Sequence, residues 1–390
     1  MIIQASNTAN NIKEYYFSKK LTSIKRMISE GKEIINLGIG NPDMPPANSV
    51  ISELNTEATF SNTHGYQSYI GTDELREAFA DWYKKQYHVT INPTNEVLPL
   101  QGSKVGIMYI SLAFLNKNDK VLVPDPAYPA YAASAKFTGS DVITYNLTKE
   151  NDFLPDFENI KKNDLSNVKL MWVNYPNMPT GKNASPELFQ KLINFGKEHN
   201  ILICNDNPYS FILNDKPLSI LSAEGAFETA LELNSLSKSH NMAGWRIGSV
   251  FGAKYYLDEI QKIQSNFTSG MFLPLQKAAV KALNLKSEWY QKNNEIYKER
   301  KRLVFNLLDK LNCSYDNSGV GMFVWAEIPD YFKTGIEFSD FLLNKFDLFI
   351  TPGEVFGLNG KRFIRISLSN PAEDYNKAIQ RVTNASSLKN

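Results

Sequence analysis

Between about residues 97 and 250, short β-branched or apolar runs alternate with longer amphipathic stretches. This is the pattern of an α/β sheet with crossover helices. Strands are expected at 120–125 (KVLVPD), 169–175 (KLMWVNY), 201–206 (ILICND), 231–237 (LELNSLS) and 246–252 (RIGSVFG). Helices are expected at 75–87, 105–115 and 186–199, where apolar residues recur every three or four positions. The strands are almost continuously apolar, which suits a sheet covered on both faces. After about residue 285 the texture changes to a long charged helix over 286–311, then MFVWAEI (322–328), a further helix and FIRISLS (363–369). The expected organisation is a large domain over 46–284 with a mostly parallel sheet flanked by helices. A smaller α+β domain is built from 1–45 and 285–390, because the first forty residues are too few for a core of their own.

Composition narrows the function. Apolar residues at 43% and charged residues at 21% describe an ordinary globular chain. Forty-two basic against forty-one acidic side chains leave a formal charge of +1, with no bulk pull towards nucleic acid or anionic lipid, so a small-molecule partner is expected. The longest apolar run, Met322 to Ala326, is far short of the roughly twenty residues that span a bilayer. The first twenty residues lack the apolar block of a secretory signal, so the expected location is the cytoplasm. Two cysteines and four scattered histidines offer neither a disulfide framework nor a metal site. Phosphate-loop, dinucleotide-binding, hydrolase-elbow and zinc-protease motifs are all absent.

The segment SLSKSHNMAGWRIG (235–248) places one lysine, two hydroxyls and an arginine in a short polar stretch between apolar sequences. A buried lysine is costly to protonate, so its pKa falls, as a Schiff-base nucleophile requires. Lys238 is therefore the candidate nucleophile, with Ser235, Ser237 and Arg246 as candidate phosphate ligands. A solvated surface turn is the competing reading. Arg365, a charge inside the apolar run FIRIS, also requires a partner, either a bound anion or a structural salt bridge.

This segment resembles the lysine signature of class I/II aminotransferases, the fold-type I enzymes that use pyridoxal 5′-phosphate. Further matches follow in family order: LGIGNPD (37–43), YQSYIGTDELR (66–76), QGSK (101–104), DPAYPAY (125–131), YPNMPTG (175–181), DNPY (206–209) and RFIRIS (362–367). The resemblance implies that Lys238 holds the cofactor as an internal aldimine and shuttles the substrate α-proton. It assigns Asp206 to the pyridine nitrogen, Tyr209 to the phenolic oxygen and Tyr128 to the ring face, and it carries Asn177 as a cofactor-binding residue with no atom assigned. Gly102, Ser103, Lys104, Ser235, Ser237 and Arg246 fall to the phosphate end, and Gly40 and Arg365 to the substrate α-carboxylate. Tyr66 is implied to reach the phosphate of the neighbouring subunit, hence a homodimer with shared active sites. The partners implied are an amino acid and a 2-oxo acid. One position departs from the family pattern: Met178 stands where an asparagine donor is usual, and methionine cannot donate. A carbon–sulfur β-lyase using the same cofactor is the alternative. A non-enzymatic, cofactor-sensing regulator is a remote one, since the residues ahead of LGIGNPD are too few for a DNA-reading module.

Overall fold

The computed structural model describes residues 3–11 and 16–384. Among these residues, thirteen strands follow in chain order: β1 (Ile35–Asn36), β2 (Val97–Leu100), β3 (Lys120–Asp125), β4 (Asp141–Asn146), β5 (Val168–Val173), β6 (Leu202–Asp206), β7 (Ala230–Ser235), β8 (Gly248–Phe251), β9 (Ser314–Tyr315), β10 (Phe323–Glu327), β11 (Leu348–Phe349), β12 (Thr351–Pro352) and β13 (Phe363–Ser367). The large sheet has the order β2-β8-β7-β6-β5-β3-β4. Only β8 runs against its neighbours. A smaller antiparallel sheet, β12-β13-β10-β9, lies in the carboxy-terminal part, and β1 pairs in parallel with β11.

The apolar strands of the large sheet divide their side chains between two cores, as the two-residue period of a strand requires. Leu122, Met171, Val173 and Ile203 join one core with Phe79 and Trp82 of helix Asp73–Tyr87 and Leu192 of helix Pro186–His199. Their alternates Val121, Val123, Leu170, Trp172, Cys204 and Leu233 join the other, with Ile107 and Ile110 of helix Ser103–Phe114 and Ile260 of helix Lys254–Phe267. A third core surrounds β10 and β13. Ile35 and Leu37 enter it beside Leu303 and Leu307 of helix Ser287–Lys310 and Phe338 of helix Gly335–Phe346.

Several boundaries differ from the sequence expectation. The strand expected at 231–237 stops at Ser235, whose hydroxyl accepts the Ser237 N–H and caps a helical turn over Leu236–Ser239. Lys238 therefore sits on a turn of helix rather than beyond a strand end. The strand expected at 246–252 begins only at Gly248, because Arg246 has left-handed backbone (φ 58°) that a strand cannot continue. The sequence expectation also omitted both edge strands, β2 and β4. Among the described residues, no helix is long and apolar enough to cross a membrane.

Candidate active site

The carboxyl ends of the parallel strands open onto a cavity of about 530 Å³. Such crevices are where open α/β sheets bind ligands. Of the residues expected from sequence, Gly40, Ser103, Lys104, Tyr128, Asp206, Tyr209, Ser235, Ser237, Lys238, Arg246 and Arg365 line it. Three others sit differently. Gly102 lies just behind the wall as the residue that caps helix Ser103–Phe114. The Asn177 side chain turns to Thr180, accepting its backbone N–H and its hydroxyl (2.7 Å), while Met178 takes the wall position. Tyr66 is 94% exposed and lies outside the cavity.

Lys238 Nζ donates to the Gly40 carbonyl at 2.7 Å. Burial first, then the Arg365 and Arg246 guanidiniums, bring its pKa down to about 8. Gly40 thus meets the lysine through its carbonyl. A side chain there would collide with the Phe323 ring, so only glycine lets the two segments close.

Gly102 has φ +90°, and a Cβ on it would fall 2.2 Å from Arg246 Nη2. The backbone conformation favours glycine, and a side chain there would also displace the Arg246 guanidinium. The helix that follows has no acidic residue in its first turn, so its amino end and dipole favour an external anion. Ser235 Oγ donates to Ser237 Oγ at 2.8 Å, and Arg246 Nη1 donates to the Ala243 carbonyl at 2.9 Å. Hydroxyls, guanidinium and helix start together form a corner suited to a phosphate dianion.

Asp206 closes β6. Its Oδ2 accepts the Tyr131 hydroxyl at 2.9 Å, and its Oδ1 is buried without a hydrogen-bond partner among the described residues. Burial is the main force raising this carboxyl to about 6, against the Tyr131 hydrogen bond, with Glu232 on β7 adding to the rise. An orphaned buried carboxylate oxygen is expensive unless a ligand satisfies it. The protonated ring nitrogen of pyridoxal phosphate is such a ligand, and the phosphate corner suits the cofactor's other end. The residues present fit the group.

Arg365, on β13, donates through Nη2 to the Gly38 carbonyl at 2.8 Å and through Nη1 to Met178 Sδ at 3.2 Å. Its guanidinium carbon lies 4.0 Å from the Phe323 ring centroid and 4.6 Å from that of Phe356. Two aromatic faces hold the fork while its edge faces the cavity. Sequence reasoning missed Phe323, Phe356, Tyr131 and Asn174. Asn174 accepts the Met178 N–H at 2.8 Å and donates to the Asp206 carbonyl. Only Tyr131 carried a sequence signal, as the last residue of DPAYPAY.

Comparison with known proteins agrees with this geometry. The family described as "Aminotransferase class I and II" matches residues 32–382. An LL-diaminopimelate aminotransferase of Aquifex aeolicus is 39% identical over 95% of this chain and 96% of its own. The substrate-bound BacF structure from Bacillus subtilis superposes with a TM-score of 0.92 at 38% identity, covering 98% of this chain and 97% of that one. An aspartate aminotransferase variant of Thermus thermophilus, 23% identical with a TM-score of 0.90 over 97% and 99% of the two chains, shares the fold. With that family match running over residues 32–382, most of its length, the chain belongs to the class I and II aminotransferases, enzymes that transfer amino groups with pyridoxal 5′-phosphate.

Proposed function

We propose that this chain works as a cytoplasmic homodimer in which Lys238 carries the cofactor covalently and then moves the α-proton of an amino acid held by Arg365. The observation that carries this reading is one cavity shared by three groups: a lysine of lowered pKa, a buried aspartate with a bare oxygen and an aromatic-clamped arginine. Bound there, pyridoxal 5′-phosphate supplies the electron sink for the charge left when the α-proton departs. Asp206 keeps the ring nitrogen cationic. Tyr128 supports the ring face, Tyr209 donates to the phenolic oxygen, and Gly102, Ser103, Lys104, Ser235, Ser237 and Arg246 hold the phosphate. Arg365 fixes the α-carboxylate and so the direction of the α C–H bond. Lys238, whose buried amine sits beside the Arg365 and Arg246 guanidiniums, accepts that proton and returns it elsewhere. Asn177 contributes by shaping the loop through Thr180 rather than by facing the ring.

The names of the relatives nominate LL-diaminopimelate as the first amino donor to try. Holoenzyme mixed with this or another α-amino acid and no acceptor should release about one 2-oxo acid per site and stop, because the amino group stays on the cofactor. Continuous release of pyruvate and ammonia from a cysteine conjugate under the same conditions would favour the β-lyase reading instead.

Tyr66 supports the dimer. It is exposed, as are Phe60, Tyr69, Phe267 and Phe272, and Gly270 lies against the Gln67 and Ser68 carbonyls, which brings the 267–272 segment next to the segment that carries Tyr66. A second copy covering these two segments brings Tyr66 to its neighbour's phosphate corner. Mixing Tyr66→Phe with Lys238→Ala should restore about a quarter of the wild-type rate if each variant alone is inactive. About half of randomly exchanged dimers are then mixed, each with one intact site of two. Recovery absent after proven subunit exchange would confine Tyr66 to its own chain.

A further inference from the structure

We propose that Tyr131 is a positioning residue for the cofactor: its hydroxyl holds one oxygen of Asp206 so that the other stays charged and turned towards the ring nitrogen. This rests on the reading of Asp206 as the partner of that nitrogen. Three observations carry it. The Tyr131 hydroxyl donates to Asp206 Oδ2 at 2.9 Å, while Oδ1 is buried and unsatisfied among the described residues. The ring itself has little freedom: it stacks on Trp172 with centroids 5.0 Å apart and planes 5° from parallel. It also meets Tyr128 edge-on at 5.8 Å and 84°, tying the aspartate's support to the aromatic wall of the cavity. Trp172 is fully buried on β5, so the platform under Tyr131 belongs to the rigid sheet rather than to a loop.

Without this donor the carboxylate would be buried with neither oxygen bonded by a side chain. It would then either take up a proton or turn, and in both cases lose its grip on a protonated pyridine. The hydroxyl cannot serve as a proton source instead. Burial first, then Asp206 beside it, raise the Tyr131 pKa well above its ordinary value, so it remains a neutral donor at any working pH. Titratable or charged groups facing Asp206 are Tyr131, Tyr209 and, from β7, Glu232, with Lys238, Arg246 and Arg365 sharing the cavity.

The test is the affinity of cofactor-free enzyme for pyridoxal 5′-phosphate, measured by spectroscopic titration between pH 5.5 and 8.5 for Tyr131→Phe, Asp206→Asn and the double variant. Tyr145→Phe is the control, since it loses a buried hydroxyl bonded to the Trp172 carbonyl (2.7 Å) without touching Asp206. Tyr131→Phe should bind roughly ten- to a hundredfold more weakly, the range for one hydrogen bond to a charged group. Its affinity should also decline at higher pH than wild type as acid is added, because removing a donor to the anion raises the aspartate's pKa. Tyr145→Phe should match wild type in both respects, and the double variant should lose no more than Asp206→Asn alone. If Tyr131→Phe does not fold, Trp172→Phe, which keeps a smaller ring under Tyr131, should show weakened binding and the same displaced pH profile. Wild-type affinity and pH profile in Tyr131→Phe, or in Trp172→Phe where that variant stands in for it, with Asp206→Asn impaired, would overturn the role of Tyr131. Unimpaired binding by Asp206→Asn would overturn the assignment of Asp206 itself.

Discussion

Lys238→Ala should lose at least about 10²- to 10⁴-fold in kcat, the contribution of a positioned proton-transfer group, before the loss of covalent attachment is counted. The protein should still fold and bind pyridoxal 5′-phosphate, because the Arg246 corner and Asp206 are untouched. Borohydride treatment and peptide mapping check the assignment: the label should sit on Lys238 in wild type and be absent from the variant. A label at Lys104, the other lysine of the cavity wall, would move the role there. The lowered pKa adds a pH signature. The attacking form is the neutral amine, so the rate at which cofactor-free enzyme captures pyridoxal phosphate should rise with pH and level off above about 8. A lysine at its ordinary 10.5 would go on accelerating beyond pH 10. At pH 7 roughly one molecule in ten is neutral, against about one in three thousand without the shift.

Arg365→Ala should lower kcat/KM for amino acids by roughly thirty- to several-thousandfold, about 2 to 5 kcal/mol for truncating a charge-assisted, bidentate contact. The cofactor spectrum should survive, because Arg365 is not among the groups assigned to the ring or phosphate. Arg365→Lys should recover only part of the loss. An ammonium cannot present two parallel donors, and it forfeits the contact of a planar guanidinium with the Phe323 and Phe356 rings. Turnover equal to wild type in the alanine variant would remove Arg365 from the mechanism. Failure to fold would instead mark it as a structural residue.

The central strands β3, β5, β6 and β7 were legible in the sequence because each is buried on both faces, which leaves a run of apolar residues that no surface strand has. The edge strands were not. β4 exposes three of its six side chains and mixes polar with apolar positions in DVITYN, and β2 is a four-residue run broken by Pro99, whose missing N–H suits a sheet edge. The end of β7 was misplaced for a different reason. Ser235, Leu236 and Ser237 have no strong local preference, and the cap donated by Ser235 decides that helix begins there.

Chemistry in the cavity divides along the same line. By itself the sequence determined the lysine segment, the Asp-x-x-Tyr spacing at 206–209 and the lone arginine in FIRIS, because a charge placed in an apolar run must be matched and is therefore conspicuous. Tertiary structure alone decided which side chains do the matching. Phe323 and Phe356 lie apart from Arg365 in the chain and meet it only where β10 pairs with β13 and the turn at Gly353–Phe356 folds over. Tyr131, on helix Ala130–Thr138 that follows β3, reaches Asp206 from 75 residues away because β3 and β6 lie in one sheet with only β5 between them. The Asn177–Met178 pair shows the limit most plainly. Adjacent residues in a loop point in different directions, and the Thr180 hydroxyl that captures Asn177 leaves a thioether, not an amide, against the arginine. Composition and spacing determine which groups are costly to bury; only the packed chain determines what each is buried against.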